Sequence, residues 1–443
     1  WLLSLFAQFF PTSLSALKII PFFSTLLLLP ICLNLSEKRI SLAVVAVVML
    51  NPWVIAWSGR ILSDNPYTVI SLGALLFYSS LQKKQSGNMV GLLFLVLLCS
   101  LAINVRTVGW TVVLAISIDL LLRRQPIQAM LFSLAVPAVS LLWWMPARGG
   151  VSFLSEAYIK QVLSPQLSSY GPFVFHQFIG YLSELPVILL PVFGNPLEGV
   201  LTRAGLGSFY PLLTFLIGLC FLGLVVLAIH RTRRNVKTGP EIRLFAIYLL
   251  VYTAVLLNFN GYPTGVQTRL LIPIFPLLVL LVLLGLQEFP GRNFKHGPSF
   301  VLGLMILSAL LHNGWRVAHP LNSSIEADGR GFVDPAVGAD WFAAHTRPGD
   351  VIMVQEPLQR HIHFLRPVVS FPSQLNKDAL QLKSIRHGVN YFFIGPSVHG
   401  LPNKLDDTGS AVLEMLQAQP GKYEEVFSDT RKAVSVFRLN EKN

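Results

Sequence analysis

The chain has 443 residues, of which 53% are hydrophobic and only 13% are charged, and its formal net charge is +12. Ordinary soluble domains carry about 25% charged residues, so the composition excludes a soluble globular protein and predicts a polytopic membrane protein. Several stretches without Asp, Glu, Lys or Arg are long enough to cross a hydrocarbon core, which needs about 20 helical residues. They include 40–59, 85–105, 125–147, 204–229 and 244–268.

The positive charge is concentrated in the first part of the chain. Residues 1–315 contain 20 Lys and Arg against 8 Asp and Glu, whereas residues 316–443 contain 14 of each. Twelve of the 20 basic residues form five clusters: Lys38-Arg39, Lys83-Lys84, Arg123-Arg124, Arg231/Arg233/Arg234/Lys237 and Arg292/Lys295. By the positive-inside rule the clusters face the cytoplasm, where they contact membrane lipids. The charge therefore sets the topology, and nucleic-acid binding is disfavoured.

The hydropathy pattern predicts about ten transmembrane helices. We place them near 14–35, 39–59, 65–82, 87–104, 107–122, 126–145, 210–230, 243–259, 268–286 and 298–315. Segment 1–10 is too short to span and predicts an interfacial helix on the outer side. Loop 146–210 mixes prolines with apolar residues, which predicts short amphipathic helices along the outer membrane surface, covering an outer cavity.

The pattern changes after Trp315, which predicts a transmembrane domain over 1–315 and a small extracytoplasmic α/β domain over 316–443. Asp334-Pro335 is typical of a helix N-terminus, and Gly388 is a plausible helix C-terminal residue. The predicted order is a helix from Asp334 to His345, a strand 351–354, a helix 376–387, a strand 389–394, a helix 409–418, and strands 423–428 and 432–438.

Polar residues are rare on the predicted outer side, and Asp64 is one of them. It precedes Asn65-Pro66 at the start of a helix. Its local sequence fits a helix cap, since Asp before a Pro in the first turn is favourable capping chemistry. It equally fits an acid at the mouth of an outer cavity that binds a metal or orients a hydroxyl.

Two outer arginines pose a similar choice. Arg106 lies in a tight turn between apolar helices, and Arg269 lies at the start of another helix. The positive-inside rule does not require an arginine in an outer turn. A guanidinium beside a lipid surface can, however, bind a phosphate through two parallel hydrogen bonds. The alternative is an arginine that extends to the lipid headgroups. Asp119, beside Arg123 at a predicted inner end, indicates a structural ion pair.

Three short motifs resemble the GT-C membrane glycosyltransferases, which use polyprenyl-phosphate sugars and include the aminoarabinose transferase and protein O-mannosyltransferases. Asn51-Pro52 followed by Ser63-Asp64-Asn65-Pro66 is one motif, Val105-Arg106-Thr107-Val108-Gly109 is the second, and Arg269-Leu270-Leu271-Ile272-Pro273 with Pro276 is the third. The C-terminal stretch, with Ala339-Asp340-Trp341-Phe342 and Gly388-Val389-Asn390-Tyr391, is similar to the small outer domains of bacterial members. The resemblance covers nearly the whole chain.

The resemblance implies an inverting hexosyl or pentosyl transfer at the outer face of the plasma (inner) membrane, within the cell envelope. An acceptor hydroxyl of a lipid, glycan or protein attacks the sugar, and polyprenyl phosphate leaves. Arg106 and Arg269, with Gln267 beside them, would bind the phosphate, and Asp64 would be a supporting acid or a metal ligand. A divalent metal, Mg²⁺ or Mn²⁺, is compatible with the family, although no cofactor is required by the motifs.

One departure from the family concerns its principal catalytic acid, which lies in the first outer loop. Here the first predicted span runs from outside to inside and matches the family's second helix. The first helix and that loop would therefore lie before Trp1, and with them the principal base. Two further readings stay open: a transporter or flippase of lipid-linked or small solutes, and a non-catalytic membrane subunit. Isolated charges at outer ends rather than at the midplane disfavour a transporter.

Overall fold

A computed structural model describes residues 14–58, 63–84, 89–144, 170–232, 239–258, 268–289, 296–318, 338–355, 364–372, 375–396 and 405–440. The chain forms two compact units, residues 1–315 and 316–443. The first is a helical bundle and the second is built on a β-sheet. The predicted interfacial helix at 1–10 lies outside the described residues.

A helix forms at each of the ten predicted positions in the first unit. The helices are Leu14–Leu33, Lys38–Leu50 with Pro52–Ser58, Asp64–Lys84, Met89–Val105, Trp110–Leu122, Pro126–Trp144, Tyr210–Thr232, Gly239–Leu257, Phe275–Gln287 and Gly297–Ala318. Short 3-10 helices, Thr107–Gly109, Gly207–Phe209 and Thr268–Ile274, precede three of them.

Four helical stretches of the described chain are long and apolar enough to span a membrane by themselves: Gly207–Thr232, Gly239–Leu257, Thr268–Gln287 and Gly297–Ala318. The bent pair at Lys38–Ser58 would make a fifth, and four further apolar helices are shorter. Large apolar side chains such as Phe23, Leu250 and Phe300 are exposed on these helices, as lipid contact requires. The protein is a multi-pass membrane protein, and the total of ten spans stays a prediction.

The helix predicted over 39–59 is broken at Asn51. Its two halves, Lys38–Leu50 and Pro52–Ser58, are bent by 60°, because Pro52 lacks the N–H that would continue the helix. The Asn51 side chain caps the second half by accepting a hydrogen bond of 2.9 Å from the Trp53 N–H. Its amide also donates to the Ile188 carbonyl at 2.8 Å. The Asn51 side chain at the break therefore hydrogen-bonds to a residue 137 positions away in the chain.

The expectation of short amphipathic helices for the 146–210 loop is wrong for residues 170–189, where Tyr170–Leu189 forms one 20-residue helix. A short helix does follow, at Asn195–Arg203, and the place of the loop along the membrane surface stays a prediction. The long helix packs into the bundle against Tyr210–Thr232, where Gly218 lies so close that an added Cβ would be 2.0 Å from the Leu182 carbonyl oxygen. The absence of a side chain at Gly218 thus lets an apolar helix bury a face against the bundle.

The second unit contains a five-stranded sheet in the order β2-β1-β3-β5-β4. The strands are β1 Val351–Val354, β2 Val368–Ser370, β3 Val389–Ile394, β4 Tyr423–Asp429 and β5 Val434–Leu439. β2, β1 and β3 are parallel, whereas β5 pairs antiparallel with β3 and β4. The sheet confirms the predicted α/β domain, and β2 is an additional strand that the sequence pattern did not predict.

Helices cover both faces of this sheet. Lys377–His387 and Asp407–Gln417 contribute Leu380, Val412 and Leu416 to one apolar core, and Ala339–His345 contributes Phe342 to the other. Gly388 ends its helix with a φ of 60°, a left-handed conformation that favours glycine. The first helix begins at Ala339 after Gly338, which has a φ of 88°. Asp334 and Pro335, its predicted start, lie outside the described residues.

Candidate functional site

Asp64 and Arg106, predicted separately, form an ion pair. Asp64 is the first residue of the Asp64–Lys84 helix and is 3% exposed. The Arg106 guanidinium donates to the Asp64 carboxylate through Nη1, and the Arg106 side chain is 19% exposed. Burial of the carboxylate without a partner would be costly, so the pair is required for both side chains to lie inside the bundle.

The turn at Arg106 is held by close backbone packing. Helix Met89–Val105 ends because Arg106 is extended, with φ −149° and ψ 139°, and a 3-10 helix follows at Thr107–Gly109. A Cβ on Gly109 would lie 2.4 Å from the carbonyl carbon of Ala102. Only glycine lets this turn fold back so closely onto the preceding helix, and the fold-back brings Arg106 to Asp64.

Buried tyrosines surround the ion pair. The Tyr67 hydroxyl donates to the Val108 carbonyl at 3.2 Å and shares hydrogen bonds with Thr111 at 3.1 Å and Tyr248 at 3.3 Å. These contacts fix the turn after Arg106 to the helix that begins at Asp64. Tyr67 and Tyr252 are both within electrostatic reach of Arg106. The ion pair therefore lies beside a buried hydrogen-bonded group of Tyr67, Thr111 and Tyr248.

Arg269 is placed in the Thr268–Ile274 3-10 helix, which packs against the Asp64–Lys84 helix. The neighbouring residue Leu270 accepts a hydrogen bond of 2.8 Å from Tyr252, and Tyr252 interacts electrostatically with both Arg106 and Asp64. Arg269 is thus on a segment that packs against the helix of Asp64 and hydrogen-bonds to Tyr252 through Leu270. Gln267, predicted beside it, lies outside the described residues.

Glu184 is a further acid that the sequence did not single out. It lies in the Tyr170–Leu189 helix, outside the candidate spans, and accepts a hydrogen bond of 2.5 Å from Thr268. Burial raises the pKa of Glu184 above its ordinary value, and the Thr268 hydrogen bond partly opposes that shift. Glu184 was missed because the segment predicted as a surface loop gave no reason to place an acid next to Arg269. The same 146–210 segment also contains Glu156 and Glu198, so the sequence offered no signal that distinguishes Glu184 from them.

Asn65, the second residue of the Ser63-Asp64-Asn65-Pro66 motif, holds helices together. Its amide donates to Thr25 at 2.7 Å and to the Val54 carbonyl at 3.3 Å, so it connects three helices. Its Oδ1 is buried and accepts no hydrogen bond from the described residues. The motif therefore combines one residue of the ion pair with one that fixes its position.

A divalent metal does not fit the described residues around Asp64. No three His, Cys, Asp or Glu side chains in the described part of the chain lie close enough together to hold one. The Asp64 carboxylate is also in contact with the positive guanidinium of Arg106, whose charge opposes that of a bound cation. No step below is assigned to a metal, and the Mg²⁺ or Mn²⁺ of the resemblance stays a prediction.

No protein-family model matches the sequence, and no curated protein matches it. Among solved structures, the fold is similar to the crystal structure of ArnT from Cupriavidus metallidurans bound to undecaprenyl phosphate. The TM-score is 0.56 and the identity 11%, over 100% of this chain and 87% of that chain. At this identity the likeness establishes a shared fold, and it confirms the fold implied by the motif resemblance.

Proposed function

We propose that this chain, which has the fold of the GT-C membrane glycosyltransferases, transfers a sugar from a polyprenyl-phosphate donor to an acceptor hydroxyl. The transfer would invert the anomeric centre and take place on the extracytoplasmic side of the plasma (inner) membrane. The structural likeness to ArnT, a protein crystallised with undecaprenyl phosphate, supports the donor class. The acceptor is a lipid, a glycan or a protein with a free hydroxyl.

The observation that carries the proposal is the buried pair of Asp64 and Arg106 in this fold. Arg106 has five N–H donors, and among the described residues its guanidinium hydrogen-bonds to Asp64. The remaining donors can bind a phosphate that enters from the lipid side. Positive charge placed beside the leaving phosphate stabilises the charge that develops there during transfer, and this type of stabilisation is worth about 10²–10³ in rate per donor.

Each predicted residue has a role in this scheme. Arg106 binds the donor phosphate, and Arg269 contributes a second positive charge from the adjoining 3-10 helix. Asp64 is the supporting acid, and since its carboxylate contacts Arg106 it acts as a positioning residue that orients the guanidinium. Gln267 remains a predicted phosphate ligand. No described residue is assigned to the role of the principal base.

The positive-inside rule supports the orientation. Asp64 pairs with Arg106, and the segment of Arg269 packs against the helix that begins at Asp64. Each of the three lies in a gap that alternates with the basic clusters. The site therefore lies on the predicted outer side, where the 146–210 segment and the C-terminal unit are also predicted.

Binding of undecaprenyl phosphate tests the donor site directly. The purified full chain in nanodiscs is titrated with undecaprenyl phosphate, and the complex is measured by native mass spectrometry. Arg106→Ala should weaken binding at least tenfold, since a hydrogen bond to a charged group contributes about 1.5–3 kcal/mol. Arg438→Ala, which removes an exposed arginine of the C-terminal sheet, is the control and should bind as the unchanged protein does.

Transfer is tested by release of polyprenyl phosphate from a panel of polyprenyl-phosphate monosaccharides in cell membranes that contain the chain. Release that depends on Arg106 and on an added acceptor supports the glycosyltransferase. Movement of the intact donor across the membrane without release would contradict it and support the flippase alternative. Binding without release would indicate the non-catalytic subunit.

A further inference from the structure

A cleft of about 460 Å³ lies in the C-terminal unit at the carboxyl ends of β1 and β2. Its lining residues are Val354, Gln355, Ser370, Phe371, Pro372, Leu375, Asp407, Thr408 and Ala411. β2, β1 and β3 are parallel, so the carboxyl ends of all three strands lie at this edge of the sheet. Open α/β sheets bind ligands outside the carboxyl ends of their strands, and the volume is in the range of small-molecule sites.

The amide of Gln355 is oriented by one strong hydrogen bond. Its Nε2 donates to the Asp406 carboxylate at 2.6 Å, and because a carboxylate only accepts, the oxygen of the amide must point elsewhere. The other oxygen of Asp406 caps the Asp407–Gln417 helix by accepting from the Gly409 N–H at 2.8 Å. Gln355 Oε1 is buried and accepts no hydrogen bond from the described residues. A buried acceptor of this kind costs about 1–3 kcal/mol unless a donor reaches it.

The rest of the lining combines further polar groups with an apolar surface. Ser370 and Thr408 contribute hydroxyls, and Asp407 contributes a carboxylate. Behind Ser370, the Lys383 ammonium donates to the Ser370 hydroxyl at 3.0 Å and to the Phe371 carbonyl at 3.2 Å. Beside these groups lie the apolar residues Val354, Phe371, Pro372, Leu375 and Ala411.

The charges indicate which ligand fits. An anion would meet the carboxylates of Asp406 and Asp407, whereas Lys383, the nearby cation, is already bonded to Ser370 and Phe371. A neutral molecule with several hydroxyl donors and an apolar C–H face can donate to Asp407 and hydrogen-bond to Ser370 and Thr408 while it covers the apolar residues. We propose that this cleft binds the ring of a neutral saccharide. The proposal depends only on the C-terminal unit and does not require the proposed transfer reaction.

The test uses the full chain in detergent micelles and free glucose, galactose, mannose and N-acetylglucosamine as probes in saturation-transfer difference NMR. At least one sugar should bind in the millimolar range. Asp407→Asn should weaken that binding about tenfold, because a hydrogen bond to a carboxylate contributes roughly 1.5–3 kcal/mol. Glu414→Gln is the matched control, since Glu414 is exposed on the same helix and does not line the cleft.

A second variant fills the cleft without removing a polar group. Ala411→Phe should abolish saccharide binding, and undecaprenyl phosphate should still bind as strongly as before. If Ala411→Phe does not fold, Thr408→Val replaces it and should reduce binding severalfold. Saccharide binding that none of these substitutions changes would overturn the proposal, as would a panel in which no sugar binds. Binding of inorganic phosphate in place of sugars would overturn it as well.

When a sugar binds, its source is identified by comparing the free monosaccharide with the same sugar on polyprenyl phosphate. Equal sensitivity of both to Asp407→Asn indicates a site that recognises the ring itself. Loss of saccharide binding in Ala411→Phe with normal undecaprenyl phosphate binding separates this cleft from the proposed donor site. The proposed function and the cleft can therefore fail independently.

Discussion

Two buried aspartates in the helical bundle each pair with arginine, yet their surroundings differ. Asp119 is fully buried, accepts from Arg123 Nε at 2.6 Å and from Tyr78 at 2.9 Å, and contacts two nitrogens of Arg243 at 2.9 and 2.8 Å. Asp64, 3% exposed, pairs with Arg106. Both aspartates join elements distant in sequence, but within the described residues three side chains donate to the Asp119 carboxylate and one donates to that of Asp64.

On the proposed function, the difference is between an ion pair that stabilises the fold and one that also orients a phosphate-binding arginine. At Asp119 two guanidinium groups and a hydroxyl share one carboxylate, which ties together three regular helices. At Asp64 the partner arginine lies in a turn, next to a 3-10 helix, and retains donors for a ligand. A binding site needs groups that keep hydrogen-bonding capacity for a ligand, and the proposed function gives that role to the Arg106 guanidinium.

The largest expected effect is the loss of sugar transfer when Asp64 is substituted. Asp64→Asn should reduce transfer about 10²-fold or more, because it leaves Arg106 without its orienting charge, while the melting temperature changes much less than for Asp119 variants. The charge exchange Asp64→Arg with Arg106→Asp keeps an ion pair but moves the arginine. Transfer restored by the exchange would show that the pair is merely structural.

The next largest effect is the loss of stability when Asp119 is substituted. Asp119→Ala should lower the free energy of unfolding by about 3–5 kcal/mol, since removing one member of a buried ionic group leaves the other charges unpaired. Thermal unfolding in detergent measures this loss of stability. Glu424→Ala is the control: it removes an exposed ion pair with Arg438 and should cost about 0–1 kcal/mol. A small effect at Asp119 would remove the contrast between the two sites.

Substitution of Gly109 tests the close packing of the Arg106 turn against the preceding helix. Gly109→Ala should cost about 1–3 kcal/mol, because its Cβ would lie 2.4 Å from Ala102 backbone, and it should weaken undecaprenyl phosphate binding. Gly73→Ala is the matched control: nothing lies within 4 Å of its Cβ, and alanine favours a helix by up to about 1 kcal/mol. Equal melting temperatures for the two variants would contradict the packing argument.

The smallest expected effect concerns Glu184. Burial raises its pKa in the folded protein, so the folded state binds the proton more tightly than the unfolded state does. Stability should therefore fall as pH rises from about 4.5, the ordinary value, through the raised pKa. Glu184→Gln should remove this slope in melting temperature against pH, whereas Glu424→Gln should leave it. An unchanged slope in Glu184→Gln would show that Glu184 does not titrate as inferred.

Local patterns were sufficient for the helices and for most of the sheet. Apolar runs marked each of the ten helices, and Gly388 marked the end of Lys377–His387, because hydropathy and glycine conformations act over a few residues. They failed at β2, a three-residue strand that is too short for a pattern. They also failed at Tyr170–Leu189, where prolines and polar residues interrupt the hydropathy of a helix that packs into the bundle.

The sequence by itself determined that Asp64, Arg106 and Arg269 are unusual polar residues on one predicted side of a membrane protein. Only the tertiary structure decided that Asp64 and Arg106 form a pair, that Glu184 bonds to Thr268 beside Arg269, and that Asn51 breaks its helix to reach Ile188. The physical reason is that hydropathy adds up residue by residue along the chain. Ion pairs and hydrogen bonds between residues 42, 84 or 137 positions apart depend on how helices pack, and single close contacts such as those at Gly109 and Gly218 control that packing.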